Sequence, residues 1–177
     1  MNEQQKKKVS KSTIIIIVVL CVLIPAVVVL AILHRGNMPE ERLELQAARE
    51  FLVTAGDDTH NVSLADLQAI GPVEVSSSPR GELRTFTGVP LVRVLDHFGV
   101  DYSDARTVVF ASLDGFVTAI SIAEATDETN VFIVFEEDGE LLDTREDGGR
   151  GPYMVVVALD PFPNRWARYL MEVTLQN

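Results

Sequence analysis

Uncharged and apolar positions follow three periods along this chain, and each period predicts a different element. From Thr13 to Leu33 the run TIIIIVVLCVLIPAVVVLAIL carries no charge over 21 residues. At about 1.5 Å rise per residue, a helix of that length crosses a hydrocarbon layer about 30 Å thick, so the run predicts a transmembrane helix. It exceeds the roughly 7 to 15 apolar residues of a signal peptide, and no A-x-A site closes it. Cys21 follows Leu20, where a lipid-attachment site carries a small residue, and is read as a thiol facing lipid.

A helical period recurs downstream. Leu45, Ala48, Phe51 and Leu52 predict a helix over Glu41 to Val53, followed by a turn cluster, GDDTHN, from Gly56 to Asn61 that holds His60. Ser63 and Asp66 form an S-x-x-D cap ahead of Leu64, Leu67 and Ile70, which predicts a short helix ending at Gly71. Leu91, Val94, Leu95 and Phe98 recur at i, i+3, i+4 and i+7, with Pro90 at the first turn and Gly99 as the stop.

The third period is that of strands. Val73 and Val75 alternate about Glu74, and Ser76 to Gly81 is read as the loop that follows. TVVFAS from Thr107 and FVTAISI flank an Asp114-Gly115 turn. VFIVF and ELL flank Glu137-Asp138-Gly139, and Asp-Gly between apolar runs is a strong hairpin signal. Ser121 and Glu124 predict one capped helical turn between these hairpins, and YMVVVAL and YLMEVTL are two further strands. Many short strands with few helices predict an α+β fold with a mixed, β-rich core, preceded by the one transmembrane helix.

Charge orients this arrangement. Lys6, Lys7, Lys8 and Lys11 precede the apolar run, whereas His34 and Arg35 follow it before acidic Glu40 and Glu41. The positive-inside rule then makes residues 1–12 a cytoplasmic tail at the cell membrane and places the C-terminal part outside the cytoplasm. Residues 13–33 are the bilayer span, 34–62 a juxtamembrane linker and helix, and 63–177 the extracytoplasmic domain. Past Arg35 there are ten arginines and no lysine against 25 acidic residues, a net charge of −15. Such a surface repels nucleic acid and anionic headgroups. No cysteine follows Cys21, so the exported part has neither a disulfide nor a thiolate metal site.

Few motifs carry chemistry. In DTREDGG, Asp143, Asp147 and Gly148 fall at positions one, five and six of a calcium loop. Arg145 and Met154 occupy positions three and twelve, however, so the segment is read as a solvated turn. His60 and His97 lack a second histidine at i+4, and His97 lies off the apolar stripe of its helix. Asn61-Val62-Ser63 is a glycosylation sequon, a short pattern that arises often by chance. No G-x-S-x-G elbow, P-loop or dinucleotide fingerprint is present. What remains is two loops rich in donors: Ser76, Ser77, Ser78, Arg80 and Arg84 in one, and Gly148, Gly149, Arg150 and Gly151 in the other. Arginine forks, adjustable hydroxyls and glycine N–H groups suit an anion. Each loop alone also reads as a connector or a hairpin tip.

Taken in order, FTGVPLVRVLDHFGV, VVFASLDGFVTAISI, VFIVFEEDGELL, a Gly-Gly-x-Gly-Pro turn and RWARYLMEVTL resemble the oxidoreductase molybdopterin-binding domain, the fold of sulfite oxidase and plant-type nitrate reductase. The likeness covers about Ser63 to Leu175. It implies a mixed β core, with Arg165 and Trp166 closing that core and its edge, and a molybdopterin cofactor bound near the loop after Val75. The family's molybdenum enzymes supply a cysteine thiolate there. This chain has Ser76-Ser77-Ser78, and a serine hydroxyl is a harder and far less acidic donor than a thiol. Arg150 and Gly151 also interrupt the usual Gly-Gly-Pro. The resemblance thus implies the fold more strongly than oxygen-atom transfer.

Three readings follow. The first is a non-catalytic domain binding a pterin-like or anionic ligand through Ser76, Ser77, Ser78, Arg80 and Arg84, with the Gly148-Gly149 backbone opposite. The second is an active oxidoreductase with an unconventional metal ligand. The third is a surface module that docks an envelope protein.

Overall fold

The computed structural model describes residues 40–77, 81 and 83–177. The apolar run Thr13 to Leu33 lies outside these residues, as do Ser78 and Arg80. Among the described residues no helix is long and apolar enough to cross a membrane.

Helix α1 (Glu40–Ala48) is shorter than its apolar period suggested, because the chain leaves helical geometry at Arg49, whose φ is 53°. Phe51 and Val53, expected on a helix, are alternate buried residues of strand β1 (Glu50–Ala55). Gly56 and Asp57 alone make the turn, and β2 (Asp58–Ser63) returns antiparallel to β1 with Ala55 opposite Asp58. His60 therefore stands on a strand, with its ring 5.4 Å from that of Phe98. Phe51 and Val53 also stand at i and i+2, the strand period, and burial in a sheet selected the strand. These two strands are part of the folded domain and not a linker before it, since β1 runs parallel to the C-terminal strand.

The cap at Ser63 forms as its sequence predicts. Its hydroxyl accepts from the Asp66 N–H, and the Asp66 carboxylate takes the Ser63 N–H at 2.9 Å and its hydroxyl at 2.6 Å, which opens α2 (Leu64–Ile70). Strand β3 (Val73–Ser77) extends two residues further than expected, through Ser76 and Ser77, and pairs with β4 (Arg84–Pro90). Then come α3 (Leu91–His97), β5 (Thr107–Ser112), β6 (Val117–Ser121), α4 (Ile122–Ala125), β7 (Val131–Glu137), β8 (Glu140–Leu141), β9 (Met154–Val157) and β10 (Leu170–Gln176).

These strands make two sheets. One runs β2-β1-β10-β5-β6, with β1 and β10 its parallel pair. The other runs β3-β4-β7-β8, with β9 also pairing β7. The apolar runs of β7 and β9 are explained by burial on both faces. Val131, Ile133, Phe135, Val155 and Val157 join the main core with Phe51, Phe110 and Tyr153, while Phe132, Val134, Met154 and Val156 join a smaller cluster around Phe86. Trp166 packs against both clusters, 5.5 Å and edge-on to Phe86, and its indole N–H donates to the Val157 carbonyl. Arg165 is held by Asp160 and Glu124, in keeping with its reading as an edge residue.

Candidate functional site

The end of β7 gathers the polar residues that matter. Phe86 on β4 faces Glu137 on β7, and two residues earlier Arg84 begins β4 opposite Ser77 of β3. From there the Arg84 Nη1 donates to Glu137 Oε1 at 2.6 Å. Arg150, entering from the loop after β8, reaches the same carboxylate at 3.2 Å to Oε1 and 3.1 Å to Oε2. Glu137 is 17% exposed, so one largely buried carboxylate joins two guanidinium groups.

Next to it, Asp138 sits in the β7–β8 hairpin at φ 53° and is tied to β4. Its N–H donates to the Thr85 carbonyl at 2.7 Å, and its carboxylate accepts the Thr85 N–H at 3.2 Å. A cleft of about 500 Å³ opens here, lined by Glu137, Asp138, Glu140, Asp143, Arg150 and the Gly148-Gly149 backbone. Its side chains offer four carboxylates and one guanidinium.

The Gly148 to Gly151 loop is built around itself. Gly148 N–H donates to the Arg145 carbonyl, Gly149 N–H to Thr144 and Gly151 N–H to Asp143, at 3.1, 2.8 and 2.7 Å. The Gly149 carbonyl accepts from the Tyr169 hydroxyl at 3.0 Å, and Thr144 Oγ1 donates to Asp147 at 2.7 Å. A Cβ at Gly149 would stand 2.2 Å from the Asp143 carbonyl oxygen, and one at Gly151 would stand 2.5 Å from Leu142 Cβ. Both glycines are therefore required by the close return of the loop on its own backbone.

The structure thus brings Ser77, Arg84, Gly148 and Gly149 to one end of the second sheet, and it separates Ser76 from Ser77. Ser77 is buried whereas Ser76, on the opposite face of β3, is exposed. The N–H groups expected to meet an anion from Gly148 and Gly149 are used within their own loop. Sequence reasoning missed Glu137 as the hub, having read it only as hairpin. Its signal was present: an acidic residue ending an apolar strand, with an arginine in each of two donor-rich segments.

The molybdopterin implied by the sequence resemblance can be tested against these donors. A molybdenum centre of that kind takes a thiolate sulfur, and no cysteine follows Cys21. A pterin phosphate needs open N–H groups and guanidinium forks, and here the forks of Arg84 and Arg150 converge on Glu137 while the glycine N–H groups are internally bonded. The described residues do not fit a thiolate-bound molybdenum centre or a phosphate cradle. Among them no group of histidine, aspartate and glutamate side chains has the arrangement to hold a metal ion.

The fold has solved relatives. The chain is similar to the sulfane dehydrogenase SoxCD from Paracoccus pantotrophus, with a TM-score of 0.57 and 15% identity over 72% of this chain. It spans 38% of that protein's chain, and at this identity the likeness is one of fold. No curated protein matches the sequence. The order of motifs from Val53 onward, the two-sheet core closed by Trp166 and a family-model match over residues 53–177 agree, and the chain belongs to the oxidoreductase molybdopterin binding domain family.

Proposed function

We propose that this chain is a non-catalytic member of its family, tethered through Thr13 to Leu33 at the outer face of the cell membrane, which holds a small polar ligand in the cleft beside Glu137. The observation that carries this reading is the convergence of Arg84 and Arg150 on Glu137 in a domain without cysteine. Guanidinium groups held by a shared carboxylate, in a lining with three further carboxylates, do not draw a phosphate, and serine does not supply a thiolate's soft donor. Carboxylates that outnumber guanidinium groups in the lining suit a ligand presenting N–H donors, such as the amino-pyrimidinone edge of a pterin.

The test uses the full chain in neutral detergent, produced in a host that makes the molybdenum cofactor. Metal is measured by mass spectrometry and pterin by fluorescence after oxidation. Pterin without molybdenum is the expected result. Molybdenum near one equivalent per chain overturns the non-catalytic reading and makes Ser76, Ser77 and Ser78 the candidates for an unconventional ligand.

A further inference from the structure

Strand β6 ends the first sheet, and one row of its backbone is without a partner among the described residues. Within the β5–β6 pair the Ile122 N–H donates to the Arg106 carbonyl and the Ser112 N–H to the Phe116 carbonyl. Antiparallel alternation then turns the N–H and C=O groups of Val117 and Ala119 and the N–H of Ser121 away from β5, the Ser121 carbonyl being the N-cap acceptor of α4. The side chains of these three residues are exposed, Val117 by 59%, and Phe116 beside them by 39%. Edge strands are commonly protected by charge. Asp58 stands on β2 and Glu74 on β3, the outer strands at the other sheet margins, whereas Val117-Thr118-Ala119-Ile120-Ser121 has no charged residue. An uncharged row of unpaired backbone groups with two apolar side chains at one end is a template for an added strand.

The structure assigns this edge as a strand-addition site for an extended segment of a partner protein, β-branched at alternate positions and flanked by lysine or arginine. Two facts choose that occupant over a second folded copy. Five strand residues span about 17 Å and bury at most a few hundred Å², against about 800 Å² per partner in a stable interface between folded proteins. Two copies would also oppose −15 with −15 past Arg35, whereas a basic segment is attracted by the same field. The cleft lies on the other sheet, and neither site depends on the other.

The probe is a synthetic peptide, Lys-Lys-Thr-Val-Thr-Val-Thr-Lys-Lys, added to the full chain in neutral detergent while amide hydrogen exchange is followed by NMR. Exchange at Val117, Ala119 and Ser121 is expected to slow at least about tenfold, with Thr118 and Ile120 unchanged because they already bond to β5. Ala119→Pro, which removes only an outward N–H, abolishes this protection. A probe N-methylated at alternate residues fails on the unaltered chain, a control that does not depend on folding of the variant. Three outcomes overturn the assignment: no protection at these amides, protection instead along Asp58 to Ser63, or a peptide-free dimer in which they are already protected, which would make a second copy the occupant.

Discussion

The core between the sheets and the cleft at the end of β7 follow opposite rules. In the core, side chains interlock without regard to charge: Phe51 packs edge-on to Tyr153 at 5.0 Å, and Trp166 spans the two apolar clusters. In the cleft, Glu137 balances Arg84 and Arg150 within a lining that remains acidic. The family's order of strands and turns is kept where packing demands it, whereas of the departures the interrupted Gly-Gly-Pro lines the cleft and Ser77 pairs with Arg84, which reaches into the Glu137 cluster. Architecture and chemistry are separable here because apolar burial tolerates any sequence of suitable volume, whereas a cofactor requires particular donors.

Breaking the core should cost most. Phe51→Ala is expected to destabilise the domain by about 3–5 kcal/mol, through lost burial and the cavity left under Tyr153. Urea unfolding followed by the fluorescence of Trp166, the single tryptophan, measures it. A loss below about 1 kcal/mol would mean that the two clusters do not form one cooperative core.

The cleft offers a change of the opposite kind. Glu137→Gln should cost only about 1–2 kcal/mol, since both guanidinium groups are a third or less exposed but keep some access to water. It should also create phosphate binding where the unaltered chain has none, because two forks lose their shared carboxylate. Titration with inorganic phosphate reads this directly, and an unchanged isotherm would show that Glu137 is not what withholds the arginines from anions.

Smaller effects come from the cap at the entry to α2. Ser63→Ala removes the acceptor for the Asp66 N–H and the hydroxyl donor to the Asp66 carboxylate, an expected loss of about 1 kcal/mol in the same urea assay. It tests local structure while leaving both core and cleft intact.

The smallest effect is one of pH. The Ser63 hydroxyl, and then its N–H, donate to Asp66 and hold that carboxyl below the usual carboxylate range. The folded state therefore binds this proton less readily than the unfolded chain. Its contribution is complete at neutral pH and is lost as pH falls from the ordinary carboxylate pKa, about 3.9, through the lower folded value. Asp66→Asn should flatten that part of the acid limb of stability against pH. The same limb in the variant and the unaltered chain would show that the box does not survive in solution.

Much of the fold was legible before any coordinates. Asp114-Gly115 and Asp138-Gly139 fall in the turns they announce, the Ser63 box forms, and α3 covers the apolar positions from Leu91 to Leu95. The failure was at Glu50 to Val53, where an apolar period compatible with a helix became part of a strand, because the β10 backbone lies alongside to receive it. Of the residues singled out for a site, Arg84 was read from its loop as a contact for an anion, and the carboxylate it meets was not foreseen. Glu137 is remote from Arg84 in the chain, and only the β4–β7 register brings them together.

By itself the sequence determined the period of most elements, their turns and caps, the acidic balance of the part past Arg35 and the lack of a thiol there. These are properties of a residue and its near neighbours, and they survive reading in one dimension. The tertiary structure alone decided that Glu50 to Ala55 is a strand, that Glu137 takes both arginines, that the Gly148 to Gly151 loop spends its N–H groups on itself, and that β6 is left with an open edge. Each of these depends on which distant backbone arrives alongside, a matter settled by the burial of the whole chain rather than by any local preference.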